Sequence, residues 1–183
     1  MAELDNKKIR DLFARFYLEP NSKKKGRLLE DLMCYIMERI PGVKLESRDV
    51  YDRFFDQEID LIFSNDKTRS GLQFLPSIIV FECKNLANAV GKNEIILFAK
   101  KLRNKGSTFG ILVARSGITG DESKGTYAYG EIQRTLYDGC RIIVLTLENL
   151  ENITNTDQIV AILWEKFLRL QIAVKIDQKK HEN

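Results

Sequence analysis

The sequence predicts an α/β fold: a mixed central β-sheet flanked by helices on both faces, with α-β-β-β-α-β at its core. Three observations predict the α/β architecture. Two segments before residue 41 carry apolar residues at helical spacing. Three strand-like runs follow one another between residues 43 and 84 with no helix between them. Beyond residue 92, helical and strand-like segments alternate. Consecutive strands argue for an antiparallel start, and helical crossovers argue for parallel strands added beside it.

The elements follow in order. Residues 3–18 read as a helix with Ile9, Leu12, Phe13, Phe16 and Tyr17 on one side, stopped at Pro20. A second helix, from about Gly26 to Ile40, sets Leu28, Leu29, Leu32, Met33, Ile36, Met37 and Ile40 on a broad apolar face, with Glu30 beside the stripe. Pro41-Gly42 ends it. Val43–Val50 and Glu58–Ser64 alternate as half-buried strands do, and Ser77–Lys84 is near-continuously apolar, as a central strand covered on both faces should be. Residues 65–76 read as a long hairpin loop. A helix over 92–103 ends at Asn104-Lys105-Gly106. A buried-type strand (108–114), a helix (127–137), a strand (141–147) and an amphipathic helix (157–174) complete the chain, the last containing Trp164, Phe167, Leu168 and Ile172.

Composition narrows the chemistry. With 183 residues and 44% hydrophobic content, the expectation is one domain over 1–183, built on a core of about 26–150 with helices added at each end. No apolar run approaches the ~20 residues of a membrane span. The start lacks a signal-peptide profile, so cytoplasmic residence is expected. Cys34, Cys83 and Cys140 are too scattered for a zinc cluster or a disulfide framework and read as small core residues. The only histidine is His181, in the polar tail. Ser-His-Asp and Cys-His catalysis and His-rich metal sites are thereby disfavoured, leaving carboxylates and lysines. A net charge of +3 permits nucleic-acid binding without demanding it. Lys23, Lys24, Lys25 and Arg27, read as preceding the second helix, and Lys100, Lys101, Arg103 and Lys105, at the end of the third, are either solvated surface charge or phosphate contacts.

The informative residues stand at the ends of two neighbouring strands. Asp60 interrupts an apolar strand, and Glu82 and Lys84 close the next. Residues two apart in a strand share a face, so Glu82 and Lys84 project together while Cys83 points inward to the core. If the strands pair, Asp60 falls near Glu82. Two carboxylates and an ammonium in one partly buried spot are costly without a further partner. Mg²⁺, with Mn²⁺ as substitute, suits such oxygen ligands: Asp60, Glu82 and the backbone carbonyl of Cys83. Lys84 could orient a water and offset transition-state charge, with desolvation lowering its pKa and the carboxylates raising it. The plainer reading is a salt bridge at a strand end.

The segments EIDLIF (58–63) and VFECKN (80–85), then a helix, then FGILVARSGIT (109–119), resemble the PD-(D/E)xK nuclease superfamily, closest to its Mrr-like restriction endonucleases. The resemblance spans about residues 26–150 and implies a restriction-endonuclease-like fold with an α-β-β-β-α-β core. It implies that Asp60 and Glu82 hold magnesium, that Lys84 is the catalytic lysine, and that Glu30 supplies a further acidic residue. The substrate it implies is DNA, cut by phosphodiester hydrolysis in restriction or phage defence, and the long loop at 65–76 could reach it. Ile59 stands where the motif's name has proline. Glu58 stands where relatives often have glycine, and is either an extra ligand or a solvated charge. Glu94 opens the next helix, where some relatives place another polar active-site residue. A homodimer is the simplest arrangement for cutting both strands, and a partner protein could supply recognition or motor function. The competing expectation is a catalytically silent nuclease-fold module that binds nucleic acid or a protein within a larger complex.

Overall fold

The computed structural model describes residues 3–52 and 57–180, with side chains for all of these except residue 52 and residues 173–180. Five strands form one sheet in the order β1 (Val43–Asp52), β2 (Gln57–Asn65), β3 (Ile78–Lys84), β4 (Phe109–Ala114) and β5 (Arg141–Thr146). The first three pair antiparallel, and β3–β4 and β4–β5 pair parallel. This is the mixed sheet the sequence predicts.

Helices α1 (Asn6–Leu18), α2 (Ser22–Met37), α5 (Leu147–Glu151) and α6 (Thr156–Lys180) contribute to the larger core on one face of the sheet. Helices α3 (Lys92–Asn104) and α4 (Tyr127–Tyr137) build a second core on the other face. Every residue of β4 is buried, which is why it reads as an unbroken apolar run. Within β3, Ile79 and Phe81 enter the first core and Val80 the second.

The predicted α2 face is buried in full, from Leu28 to Ile40. Its start differs. The Asn21 side chain accepts from the Lys24 N–H at 3.0 Å, capping a helix that begins at Ser22. Lys23, Lys24 and Lys25 therefore lie in its first turn and do not precede it. The five-residue α5 was not expected. It is opened by a capping box between Thr146 and Asn149, with asparagine in place of the usual glutamate or glutamine.

On α6 the apolar residues divide. Leu163 is buried and Phe167 packs on Phe74 and Phe109, whereas Trp164, Leu168 and Ile172 remain 40–47% exposed. Tyr17 likewise leaves the α1 face and is exposed, its hydroxyl donating to Glu151.

The loop after β2 packs rather than reaching outward. Leu72 and Leu75 are buried, Phe74 meets the Trp164 ring edge-on at 5.0 Å, and the buried Asn65 amide donates to the carbonyls of Leu72, Leu75 and Pro76. It joins the ends of β2 and β3 remote from Asp60 and Glu82. At about 3.3 Å per residue, five residues of β2 separate it from Asp60 by about 16 Å, so the loop is not directed at the carboxylates. Among the described residues no helix is long and apolar enough to cross a membrane. His181 lies outside the described residues.

Candidate active site

The site forms where two strands part. The β2–β3 ladder runs from Ser64↔Ile78 to Leu61↔Phe81 and stops. The next residue on each strand is a carboxylate, Asp60 on β2 and Glu82 on β3. Beyond the last rung the Cys83 N–H has no strand partner, and Asp60 Oδ2 accepts from it at 2.6 Å. The N–H and C=O of one strand residue leave on the same side. The Cys83 carbonyl is thus directed toward the same parting, where ladder pairing has ended. Two carboxylate groups and a carbonyl converge there, a set of hard oxygen donors that could hold a magnesium-type cation.

The two faces of β3 divide the E-C-K run as its alternation dictates. Cys83 packs against the α2-side core, where burial holds its thiol well above its ordinary range. Glu82 and Lys84 turn to the α3 side. Glu82 is 2% exposed, and Lys84 Nζ meets its Oε1 at 2.7 Å. Burial alone would lower the Lys84 ammonium, but the Glu82 charge and hydrogen bond outweigh it and hold the group above its ordinary value. The carboxylates, not desolvation, thus set the direction in which the Lys84 ammonium is shifted. Asp60 is pushed up to about 7, first by burial and then by the Glu82 charge, with the Cys83 hydrogen bond and the two nearby lysines pulling the other way.

Lys101 was not singled out by sequence reasoning. It comes from α3 and donates to both Glu82 oxygens, at 2.7 and 2.8 Å. Read as part of a charge run at a helix end, it turns inward instead, because it borders the stripe of Ile95, Phe98, Ala99 and Leu102 that seats α3 on the sheet. The visible signal was its three-residue offset from Phe98. Gly110 on β4 permits the close seating. A Cβ there would lie 2.6 Å from Phe98 Cζ and 2.8 Å from Leu102. Gly110→Ala should cost about 1–3 kcal/mol by overpacking and displace α3, with Lys101, from Glu82. Chemical unfolding measures the first, and the solved structure of the variant the second.

Glu30 stands apart from Asp60, Glu82, Lys84 and Lys101. It is buried on α2, where Arg48 bonds it at 2.9 Å and Arg27 at 3.2 Å. Burial raises its carboxyl despite these partners. Arg48 also pairs with Asp31 at 2.6 Å, and Arg27 with Asp49, so α2 is clamped to β1 by two guanidiniums and three carboxylates. Asp49 lies in β1 at φ 53° and is skipped in the register, between the Arg48↔Leu61 and Val50↔Ile59 pairs, at the level of Asp60. Glu30 is near enough to Cys83 for its charge, like that of Asp60, to help raise the thiol. Glu58 is exposed, as a solvated charge is. Glu94 lies close enough for its charge to raise Lys84. No group of three or more His, Cys, Asp or Glu side chains suited to a metal occurs among the described residues, so a cation here would rest on two carboxylates and main-chain oxygen.

Strands parting over Asp60 and E-x-K, in a mixed sheet with helices on both faces, define a nuclease-type α/β fold. The Mrr-type catalytic family model, described as restriction endonuclease, matches residues 23–146, and the chain belongs to that family. No curated protein matches the chain.

Proposed function

We propose that the protein is a magnesium-dependent nuclease that hydrolyses DNA phosphodiester bonds, acting in restriction or phage defence. The observation that carries this reading is the convergence of Asp60, Glu82, Lys84 and the Cys83 carbonyl just past the last rung of the β2–β3 ladder. Family membership supports the reaction class. Asp60, Glu82 and the Cys83 carbonyl would hold Mg²⁺, or Mn²⁺ in its place. The ion supplies Lewis-acid stabilisation of phosphoryl charge and acidifies a nucleophilic water.

The chain's own residues do the rest. The Cys83 N–H fixes the Asp60 carboxylate and leaves its other oxygen free to serve as a ligand. Lys84 acts as a cation, donating to a phosphate oxygen and balancing the charge of the pentavalent transition state. Its raised pKa favours this over proton abstraction. Glu30 acts at one remove, through the α2–β1 clamp behind Cys83. A homodimer would place two such sites on one duplex, and a partner protein would supply recognition or movement along DNA.

Incubation of plasmid and linear DNA with Mg²⁺ or Mn²⁺ tests the proposal. Lys84→Ala should reduce cleavage by about 10²–10³-fold, the usual weight of one preorganised transition-state donor. Wild-type protein that cuts no better than this variant under either metal would overturn the enzyme reading in favour of a silent binding module.

A further inference from the structure

The buried charge at this site is already balanced. With both carboxyls ionised, Asp60 and Glu82 carry two negative charges, against two positive ones on Lys84 and Lys101. Glu82 Oε1 receives both ammoniums at 2.7 Å, and Oε2 receives Lys101 again at 2.8 Å. Lys84 is 31% exposed at its side chain and can swing toward solvent or substrate. Lys101 is only 17% exposed and is anchored by a helix packed on β4. A divalent cation that binds Glu82 must therefore share it with Lys101 at close range, in a setting where like charges are poorly screened.

We propose that Lys101 is a built-in counter-cation for Glu82 that makes uptake of the divalent ion depend on DNA. This rests on the reading of Asp60 and Glu82 as metal ligands. Without DNA, an arriving dication adds two positive charges to a neutral site. A scissile phosphate brings negative charge to the same spot and restores the balance. Metal and DNA therefore bind as a coupled pair, and by linkage each tightens the other by the same factor. Lys101 is a positioning residue in this scheme: it acts through Glu82 and sets when the site fills.

The test is Mn²⁺ binding followed by electron paramagnetic resonance at pH 8. Wild type, Lys101→Met and Lys101→Gln are compared, alone and with a short nuclease-resistant phosphorothioate duplex. Thermal unfolding identifies which variants fold. Wild type should bind Mn²⁺ weakly alone and more tightly with the duplex. Either neutral variant should bind Mn²⁺ alone about tenfold more tightly, a change of ~1.4 kcal/mol, and the tightening by duplex should shrink by the same factor. Lys101→Arg, which keeps the charge, should behave as wild type.

A folded Lys101→Met or Lys101→Gln protein whose Mn²⁺ affinity matches wild type would overturn the proposal and leave Lys101 a structural ion pair. In that case Mn²⁺ binding by wild type that Asp60→Asn abolishes would leave the metal reading intact. If wild type takes up no Mn²⁺ even with duplex, the metal reading itself fails, and the proposal falls with it.

Discussion

Asp60→Asn is expected to cut DNA cleavage by at least about 10³-fold while making the metal-free protein more stable at pH 8. The first effect follows from removing a charged oxygen ligand from a site with only two carboxylate side chains to offer. The second follows from the neighbourhood of Asp60. Its carboxyl is raised from 3.8 to about 7, by burial first and by the Glu82 charge second. A carboxyl raised on folding stabilises the protein below its unfolded pKa, and that contribution is lost as pH rises through the folded value. Wild-type stability in a chelator should thus decline between about pH 4 and 7 by a few kcal/mol. Asparagine still accepts from the Cys83 N–H and has no charge to bury, so its profile should lack that decline. The two proteins should unfold alike near pH 4 and differ most above pH 7. Melting temperature against pH, measured in EDTA for both, tests this. Equal stability at pH 8 would show that the Asp60 carboxylate is not strained by its surroundings. A site residue whose removal stabilises the fold is kept for its chemistry.

Much of this arrangement was legible in the sequence because it depends on periodicity. The three strands before α3 alternate or run apolar in register with their burial, and Pro41 and Gly42 mark a real chain reversal in which Gly42 takes φ 78°. Asp60 and Glu82-Cys83-Lys84 stood out because charges inside apolar strands are expensive, and the two-residue alternation sorted Cys83 from its neighbours. Residues that depend on tertiary contact were illegible. Lys101 sits in a basic run like any solvated helix end, and only the seating of α3 over Gly110 turns it to Glu82. Glu30 looked like the border of a stripe, yet it is buried because Arg48, 18 residues away on β1, reaches it. The loop after β2 has the polar composition of an exposed reach, and its direction was set by Leu72, Phe74 and Leu75 finding the core. The split face of α6 has the same origin: helical spacing allows both stripes, and packing against Phe109 on β4 favours the one through Phe167.

Glu82→Ala is expected to be the most destabilising single change at the site, costing about 3–5 kcal/mol. Glu82 is 2% exposed and accepts from two ammoniums. Truncation leaves the largely covered Lys101 without its acceptor, beside Lys84 with like charge. Lys84, at 31% side-chain exposure, turns outward more readily than Lys101, which is 17% exposed on a helix seated over Gly110. Most of the loss should therefore trace to Lys101. The double variant Glu82→Leu/Lys101→Met removes both buried charges together and should recover most of the stability, since a buried ion pair is often replaceable by apolar groups of similar volume. Urea unfolding in EDTA of the wild type, Glu82→Ala, Lys101→Met and the double variant measures this directly. A Glu82→Ala protein as stable as wild type would mean that water reaches Lys101. A double variant no more stable than Glu82→Ala would mean that the pair contributes a hydrogen-bonded geometry that apolar packing does not replace. Neither Glu82 variant should cleave DNA, because both lack the second carboxylate. Recovery of the fold without recovery of cleavage would separate two roles of one side chain: as the partner that lets Lys101 be buried, and as the oxygen donor that the reaction requires.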